Sequence, residues 1–405
     1  MSLSAGCTAV SCRSGAPHSP LPLSIPNPLK TKTPFFCFRS TQSSYLTMRS
    51  KLSEDFQAPV HLKHQDFTSL QELPDSFAWT QRSDDDSHYP SIGDSISEHV
   101  PVIDLSDPNA LQLTGHACKT WGVFQVTNHG VPSTLLDNME HITKTLFSLP
   151  VQQKLKASRS PDRVAGYGVA RISSFFPKQM WSEGFTIVGS PVEHFRQLWP
   201  EDYSKYCDGI KEYEEEMKRL AGRIMWLTLG SLGVTKEDIK WAGPKGDFQD
   251  SSAALQLNHY PACPDPDRAM GLAPHTDSTL LTILYQDNTS GLQVMKEGAG
   301  WVTVPPVPGR LVINVGDLLH ILSNGLYRSV LHRVKVNRSR QRISVAYLYG
   351  PPSNVKIAPL SKLVGPSEPP LYRSVTWNEY LGTKAKHFNK ALSSFRICVP
   401  LNVTV

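Results

Sequence analysis

The sequence predicts a mainly β protein with flanking helices, its core a β-sandwich or jelly roll, and three observations carry that expectation. After Ser251 the chain turns into short alternating runs: Ala254 to Tyr260, Thr279 to Tyr285, Gly291 to Val294, Leu311 to Val315, Val330 to Val336 and Ile343 to Tyr349. Glycine, proline and asparagine turns separate them, the texture of a closed or double-layered all-β core. Before Ser251, the apolar positions Ile210, Tyr213, Met217, Leu220, Ile224 and Leu227 follow a three-four spacing, which marks one face of a long helix. Finally, 405 residues of which 40% are hydrophobic can bury a sizeable core.

The elements follow in chain order. Residues 1–47 are rich in Ser, Thr and Pro, contain no acid, and lack the unbroken apolar core of a secretory signal. They resemble a plastid-type transit peptide; the alternatives are a disordered leader or an upstream start ahead of Met48. Residues 48–99 are polar, with clusters such as Asp84-Asp85-Asp86, and are expected to wrap the surface. Val100 to Leu105 reads as a strand, and Asp107-Pro108 as the cap and first turn of a helix running to about Thr120. Gly122 to Thr127 reads as a buried strand, Asn128-His129-Gly130 as a turn, and Ser133 as the cap of a helix ending before Pro150. Residues 48–250 thus form a helix-rich region whose strands contribute to the core. Residues 251–352 carry the β core, and 353–405 a tail that is helical from Thr376 to about Leu392.

Charge and cysteine usage exclude several function classes. The formal charge of +5 rests on Arg13, Lys30, Lys32 and Arg39; without them the chain carries 37 basic against 36 acidic residues. Such a balanced body offers no field for nucleic acid or an anionic membrane. The longest apolar stretch, Ile224 to Val234, is broken by Thr228, Gly230, Ser231 and Gly233, so no membrane span is expected. Seven cysteines at 7, 12, 37, 118, 207, 263 and 398 form no CxxC pair, which points to a reducing compartment. The cytoplasm is expected, or the plastid if the leader is a genuine transit peptide. Oligomeric state is not legible.

A metal site is suggested by Ala273-Pro274-His275-Thr276-Asp277-Ser278. In a strand, positions i and i+2 share a face, so His275 and Asp277 can reach one point. The pattern is weak alone, since His64-Gln65-Asp66 has the same form by surface coincidence. A third ligand is available at His332, in another strand-like run 55 residues beyond Asp277. Two imidazoles and one carboxylate leave three positions of an octahedral metal open, which suits an Fe(II) that binds both a chelating cosubstrate and oxygen.

Ten residues after His332, Arg342-Ile343-Ser344 again has period two, with guanidinium and hydroxyl on one side. The planar fork of arginine matches a carboxylate, and serine adds a further donor. A dicarboxylic keto acid could chelate iron at one end and reach this seat with the other. The basic run Arg333, Lys335, Arg338 and Arg340 offers a solvated edge as the alternative for Arg342, but Val345-Ala346-Tyr347-Leu348 leads it into the core.

Taken with Asn258-His259-Tyr260-Pro261-Ala262-Cys263-Pro264 and with Trp121 to Gly130, these motifs make the chain resemble the plant 2-oxoglutarate and iron-dependent dioxygenases over roughly residues 48–400. The resemblance implies a distorted double-stranded β-helix, or jelly roll, flanked by helices. It implies Fe(II), 2-oxoglutarate and O2, with ascorbate as reductant. Tyr260 and Asn258 would line the cosubstrate pocket beside Arg342 and Ser344, while His129, His259 and His320 would be structural.

These motifs are shared by hydroxylases, desaturases and ring-forming enzymes, so they do not choose a substrate. Gln179 to Ile187, Gly166-Tyr167-Gly168 and Leu70 to Ser76 resemble gibberellin 3β-hydroxylases in particular. That implies 3β-hydroxylation of C19 gibberellin precursors, rigid apolar diterpenoid acids, in a pocket of aromatic walls and one cation. Tyr167, Trp181, Phe185 and Arg171 are the candidates. A flavonoid or other specialised-metabolite dioxygenase, another gibberellin oxidase, and a jelly roll that only binds a ligand are the competing readings.

Overall fold

Residues 65–79, 99–160 and 163–397 are described by a computed structural model. The 1–47 leader, His64 and the Asp84-Asp85-Asp86 cluster lie outside them. The first half contributes β1 (Val102–Asp104), α1 (Ala110–Thr120), β2 (Val123–Thr127), α2 (Ser133–Ser148), the short α3 (Val151–Leu155), β3 (Gly166–Gly168), β4 (Glu183–Ile187), α4 (Val192–Leu198) and the long α5 (Tyr203–Gly230). The second half runs β5 (Ser252–Tyr260), β6 (Leu272–His275), β7 (Leu281–Gln286), β8 (Leu292–Lys296), β9 (Gly300–Thr303), β10 (Leu311–Val315), α6 (Asp317–Leu322), β11 (His332–Val334) and β12 (Arg342–Gly350). A small ribbon of β13 (Lys356–Ile357) and β14 (Val375–Thr376) leads into α7 (Trp377–His387).

Eight strands form the major sheet in the order β1-β2-β10-β7-β12-β5-β4-β3, and four form the minor sheet in the order β6-β11-β8-β9. Strand alternation divides the major sheet into two unlike faces. Leu255 and Leu257 of β5, Val345, Tyr347 and Tyr349 of β12, and Ile283 of β7 join one large apolar cluster with Met139 and Ile142 of α2 and Met217, Leu220 and Ile224 of α5. Tyr260, Leu284, Val312 and Ala346 belong to a second cluster with Leu292 and Val294 of β8 and Val334 of β11. One face is therefore closed by helices and the other by the minor sheet, which is the jelly-roll arrangement the sequence predicts.

The expected elements differ in detail for local reasons. The Asp107 carboxylate accepts the Asn109 amide at 2.7 Å, an Asx turn that delays α1 to Ala110. Ser133 is the first helical residue rather than the cap, because Pro132 already supplies the entry geometry. Residues 65–79 do not merely wrap the surface: Leu73 and Phe77 are buried beside Trp181, which Phe77 meets edge-on at 5.2 Å. The tail helix stops at His387, where Phe388 takes a positive φ of 47°.

Gly122 turns the chain from α1 into β2 at φ +68°, and a Cβ there would stand 2.2 Å from the Arg328 carbonyl oxygen. The left-handed backbone costs another residue about 1–2 kcal/mol, and overlap with a packed neighbour adds about 1–3 kcal/mol. Gly122→Ala is expected to lower unfolding free energy by roughly 2–5 kcal/mol, read as a reduced urea midpoint; an unchanged midpoint would show that the turn relaxes freely.

Candidate active site

The two histidines meet because they are cross-strand neighbours. His332 of β11 lies directly opposite His275, the last residue of β6, in the antiparallel minor sheet, and the ring centroids are 4.2 Å apart. Asp277 reaches them differently from the sequence expectation. β6 ends at His275, so Asp277 is not on its strand but in the turn that carries the chain toward β7. Its Oδ1 is 3.8 Å from His275 Nε2 and 3.7 Å from His332 Nε2. These three residues form a group able to hold a metal ion, with ligand atoms all within 4.8 Å of one another.

Hydrogen bonds prepare each ligand atom. The Nδ1 of His275 lies 2.8 Å from the Ala273 carbonyl, and that of His332 lies 3.2 Å from the Val330 carbonyl. A carbonyl only accepts, so Nδ1 carries the proton in both rings and Nε2 turns its lone pair toward Asp277. Burial and the facing His332 push His275 down to about 3, which keeps the ring neutral. Burial opposes ionisation of Asp277, but the facing His332, a hydrogen bond from Thr282 and the charge of Lys384 outweigh it and hold the carboxyl below its ordinary range. The Asn314 side-chain amide adds a long contact of 3.4 Å to the same carboxylate. Two imidazoles with Nε2 turned inward and one ionised carboxylate are the donor set a divalent metal needs.

The residues expected to form an anion seat lie on the same inner face. Arg342 faces Tyr260 across the β12–β5 ladder, and Ser344 faces both Asn258 of β5 and Gln286 of β7. The Arg342 guanidinium is 2% exposed, donates to Gln286 Oε1 at 3.0 Å and to Ser344 Oγ at 3.4 Å, and stands 5.1 Å from the Tyr260 ring centroid. It has no ion-pair partner among the described residues, and its buried Nε finds no acceptor. A buried cation in that state is costly unless an anion completes it. Along β7, Thr282 at the metal end and Gln286 at the seat share a face, separated by roughly 13 Å of strand, a gap that arginine and a five-carbon diacid can span together.

Several residues escaped sequence reading. Thr282 and Gln286 bracket one face of an apolar run, and polar groups at both ends of an alternating strand were a usable signal. Asn314 gave none. Of the candidate substrate residues, three lie elsewhere. Tyr167 pairs with Phe185, which pairs with Leu257, so parity puts both aromatics on the helix side of the sheet. The Tyr167 hydroxyl donates to Glu183, and Phe185 packs edge-on to Phe195. Trp181 is wholly buried, its indole nitrogen donating to the Pro261 carbonyl at 3.1 Å. Arg171 opens a 3-10 turn; its Ile172, and Phe176 just after it, pack against the cluster of Met180, Met270 and Ala273, the last of these two residues before His275. His129, His259 and His320 are engaged by Gly309, Glu183 and Tyr327, respectively.

A jelly roll with this donor set and seat is the frame of the Fe(II)/2-oxoglutarate dioxygenases. The 2OG-Fe(II) oxygenase superfamily profile matches residues 251–351, and the profile of the non-haem dioxygenase N-terminal region in morphine synthesis matches residues 100–202. The chain is 68% identical over 357 residues to gibberellin 3-beta-dioxygenase 1 of Pisum sativum, covering 87% of this chain and 95% of that protein. It is 61% identical over 353 residues to gibberellin 3-beta-dioxygenase 1 of Arabidopsis thaliana, covering 86% and 99%. Among solved structures, JOX2 in complex with 2OG, Fe and JA superposes with a TM-score of 0.69 at 34% identity, over 81% of this chain and 95% of that one. A rice dioxygenase for auxin oxidation gives 0.62 at 27% identity, over 74% and 100%. The chain belongs to the gibberellin 3-beta-dioxygenase family of 2-oxoglutarate-dependent, Fe(II)-dependent dioxygenases.

Proposed function

We propose that this enzyme 3β-hydroxylates C19 gibberellin precursors, releasing succinate and CO2. The observation that carries the reading is the 68% identity to the Pisum sativum gibberellin 3-beta-dioxygenase over nearly its whole length. His275, Asp277 and His332 would hold Fe(II), and Arg342 with Ser344, Tyr260 and Asn258 would receive the distal carboxylate of 2-oxoglutarate. Iron, 2-oxoglutarate and O2 together supply an oxidant that replaces a substrate C–H bond with C–OH while the keto acid loses CO2.

The chain's own residues orient and exclude. Nδ1 protons held by backbone carbonyls aim both imidazoles, Thr282 holds the carboxylate, and the Arg342 seat fixes which end of the keto acid points away from the metal. Arg171 is the cation we assign to the substrate carboxylate. Ascorbate is the proposed reductant keeping the iron ferrous, and the cytoplasm the proposed location, or the plastid if the leader directs import. No helix of the described residues is long and apolar enough to cross a membrane.

The test supplies recombinant protein with Fe(II), 2-oxoglutarate, ascorbate and air, then offers labelled C19 gibberellin precursors or a flavanone. Mass spectrometry is expected to find the precursor gaining one oxygen at C3, with succinate release rising in step. Succinate formation that ignores the gibberellin, or hydroxylation of the flavanone instead, would defeat the substrate assignment.

A further inference from the structure

The C-terminal helix reaches back to the metal-binding turn through a lysine. Lys384, in the last turn of α7, is 108 residues beyond Thr276, the residue between His275 and Asp277. Its ammonium meets the Thr276 carbonyl oxygen at 2.7 Å, the Thr276 hydroxyl at 2.7 Å and Asp317 Oδ2 at 2.5 Å. Three donors thus find three acceptors, all on two residues. Asp317 Oδ2 also accepts the Thr276 hydroxyl at 3.0 Å and the Tyr380 hydroxyl at 2.7 Å. The Asp317 amide donates to the Asp277 carbonyl at 2.8 Å. The turn between His275 and Asp277 is therefore gripped at Thr276 from α7 and at Asp277 from α6.

A lysine at a helix end normally extends its charge into water. Here the side chains of Lys384 and Asp317 are 12% and 1% exposed. Burying such a pair rarely adds stability beyond what apolar residues of like size would give, because desolvation offsets the attraction. Its geometry has a clearer consequence than its energy.

We propose that the Lys384–Asp317 pair, completed by Tyr380, is a positioning device for the metal-binding turn, setting the separation of His275 and Asp277 through Thr276. The device ties that turn to the substrate side as well. Phe388, the residue that follows α7, stacks at 4.8 Å on Phe175, in the 3-10 turn opened by Arg171. Lys384, Asp317 and Tyr380 are positioning residues, since none of them supplies a ligand atom to the metal group.

The inference rests on His275, Asp277 and His332 being the iron ligands, and one titration separates the two. Purified apoprotein is titrated anaerobically with Fe(II) at saturating 2-oxoglutarate, following the visible charge-transfer band, with His332→Ala as a control. A parent that develops no band, or a His332→Ala variant that matches it, would remove the metal site itself. With the parent binding and the control not, Lys384→Met is expected to weaken Fe(II) binding roughly tenfold to a hundredfold while keeping its far-ultraviolet circular dichroism. Tyr380→Phe, which loses only a hydroxyl, is expected to weaken it several-fold and decides the matter should Lys384→Met not fold. A folded variant with lowered thermal stability but unchanged Fe(II) affinity would overturn the proposal, because a merely structural contact behaves that way.

Discussion

Asp277→Ala is expected to abolish turnover, lowering kcat by about a thousandfold or more. A metal ion contributes several kcal/mol of transition-state stabilisation, and each ~1.36 kcal/mol is a factor of ten. Asp277 is the only carboxylate of the metal group, so its loss leaves two imidazoles and no anionic oxygen to balance a dication. Neither Asn314 nor Thr282, its hydrogen-bond partners, can replace an anionic oxygen. The measurement pairs single-turnover succinate formation with anaerobic Fe(II) titration, and circular dichroism confirms that the variant folds. Near-parental turnover would exclude Asp277 from the metal site.

Arg342→Leu is expected to raise the KM for 2-oxoglutarate by roughly thirtyfold to several thousandfold, from the 2–5 kcal/mol that truncating one partner of a buried charged contact costs. The effect should fall on KM more than on kcat, because the seat acts on the carboxylate remote from the reacting carbon. Two contrasts sharpen it. The parent should greatly prefer 2-oxoglutarate to 2-oxobutyrate, which lacks the distal carboxylate, and the variant should lose that preference. Arg342→Lys should recover only part of the affinity, since a point charge cannot reproduce the fork that now reaches Gln286 and Ser344 together. The apoprotein should hold or gain stability in Arg342→Leu, because it sheds a buried cation that has no ion-pair partner among the described residues. An unchanged KM would remove the guanidinium from cosubstrate recognition.

What the sequence made legible was chemistry written as spacing along single strands. Arg342 and Ser344 share a face for the reason that period two predicts, and β10 occupies Leu311–Val315 as its apolar run suggests. The match of His275 with Asp277 was found by a rule that does not hold there: the strand stops between them, and a turn pinned at both ends does the work assigned to alternation. β6 holds Pro274, which is tolerated because β6 is an edge strand, where a missing amide is no loss. The placement of the candidate substrate aromatics was illegible for a related reason. Whether Tyr167 and Phe185 face the metal or the helices depends on the register of β3 and β4 against β5, and no residue within those short segments announces that register. Lys384 and Asp317 gave no signal, because their meeting depends on where a helix docks some hundred residues from the turn it holds.

The position of β12 carries a consequence for biosynthesis. It lies between β7 and β5 at the heart of the larger layer, although it is the last long strand the ribosome delivers. A nascent chain that has released everything up to residue 340 owns all three candidate iron ligands, yet its sheet has a gap through the middle and the cosubstrate seat has not emerged. Non-local closure of this kind is slow, since the loop entropy is lost before any contact rewards it. An unfinished polypeptide therefore lacks the guanidinium proposed to hold the distal carboxylate of the keto acid, and the enzyme is expected to become competent only after translation has passed the central strand.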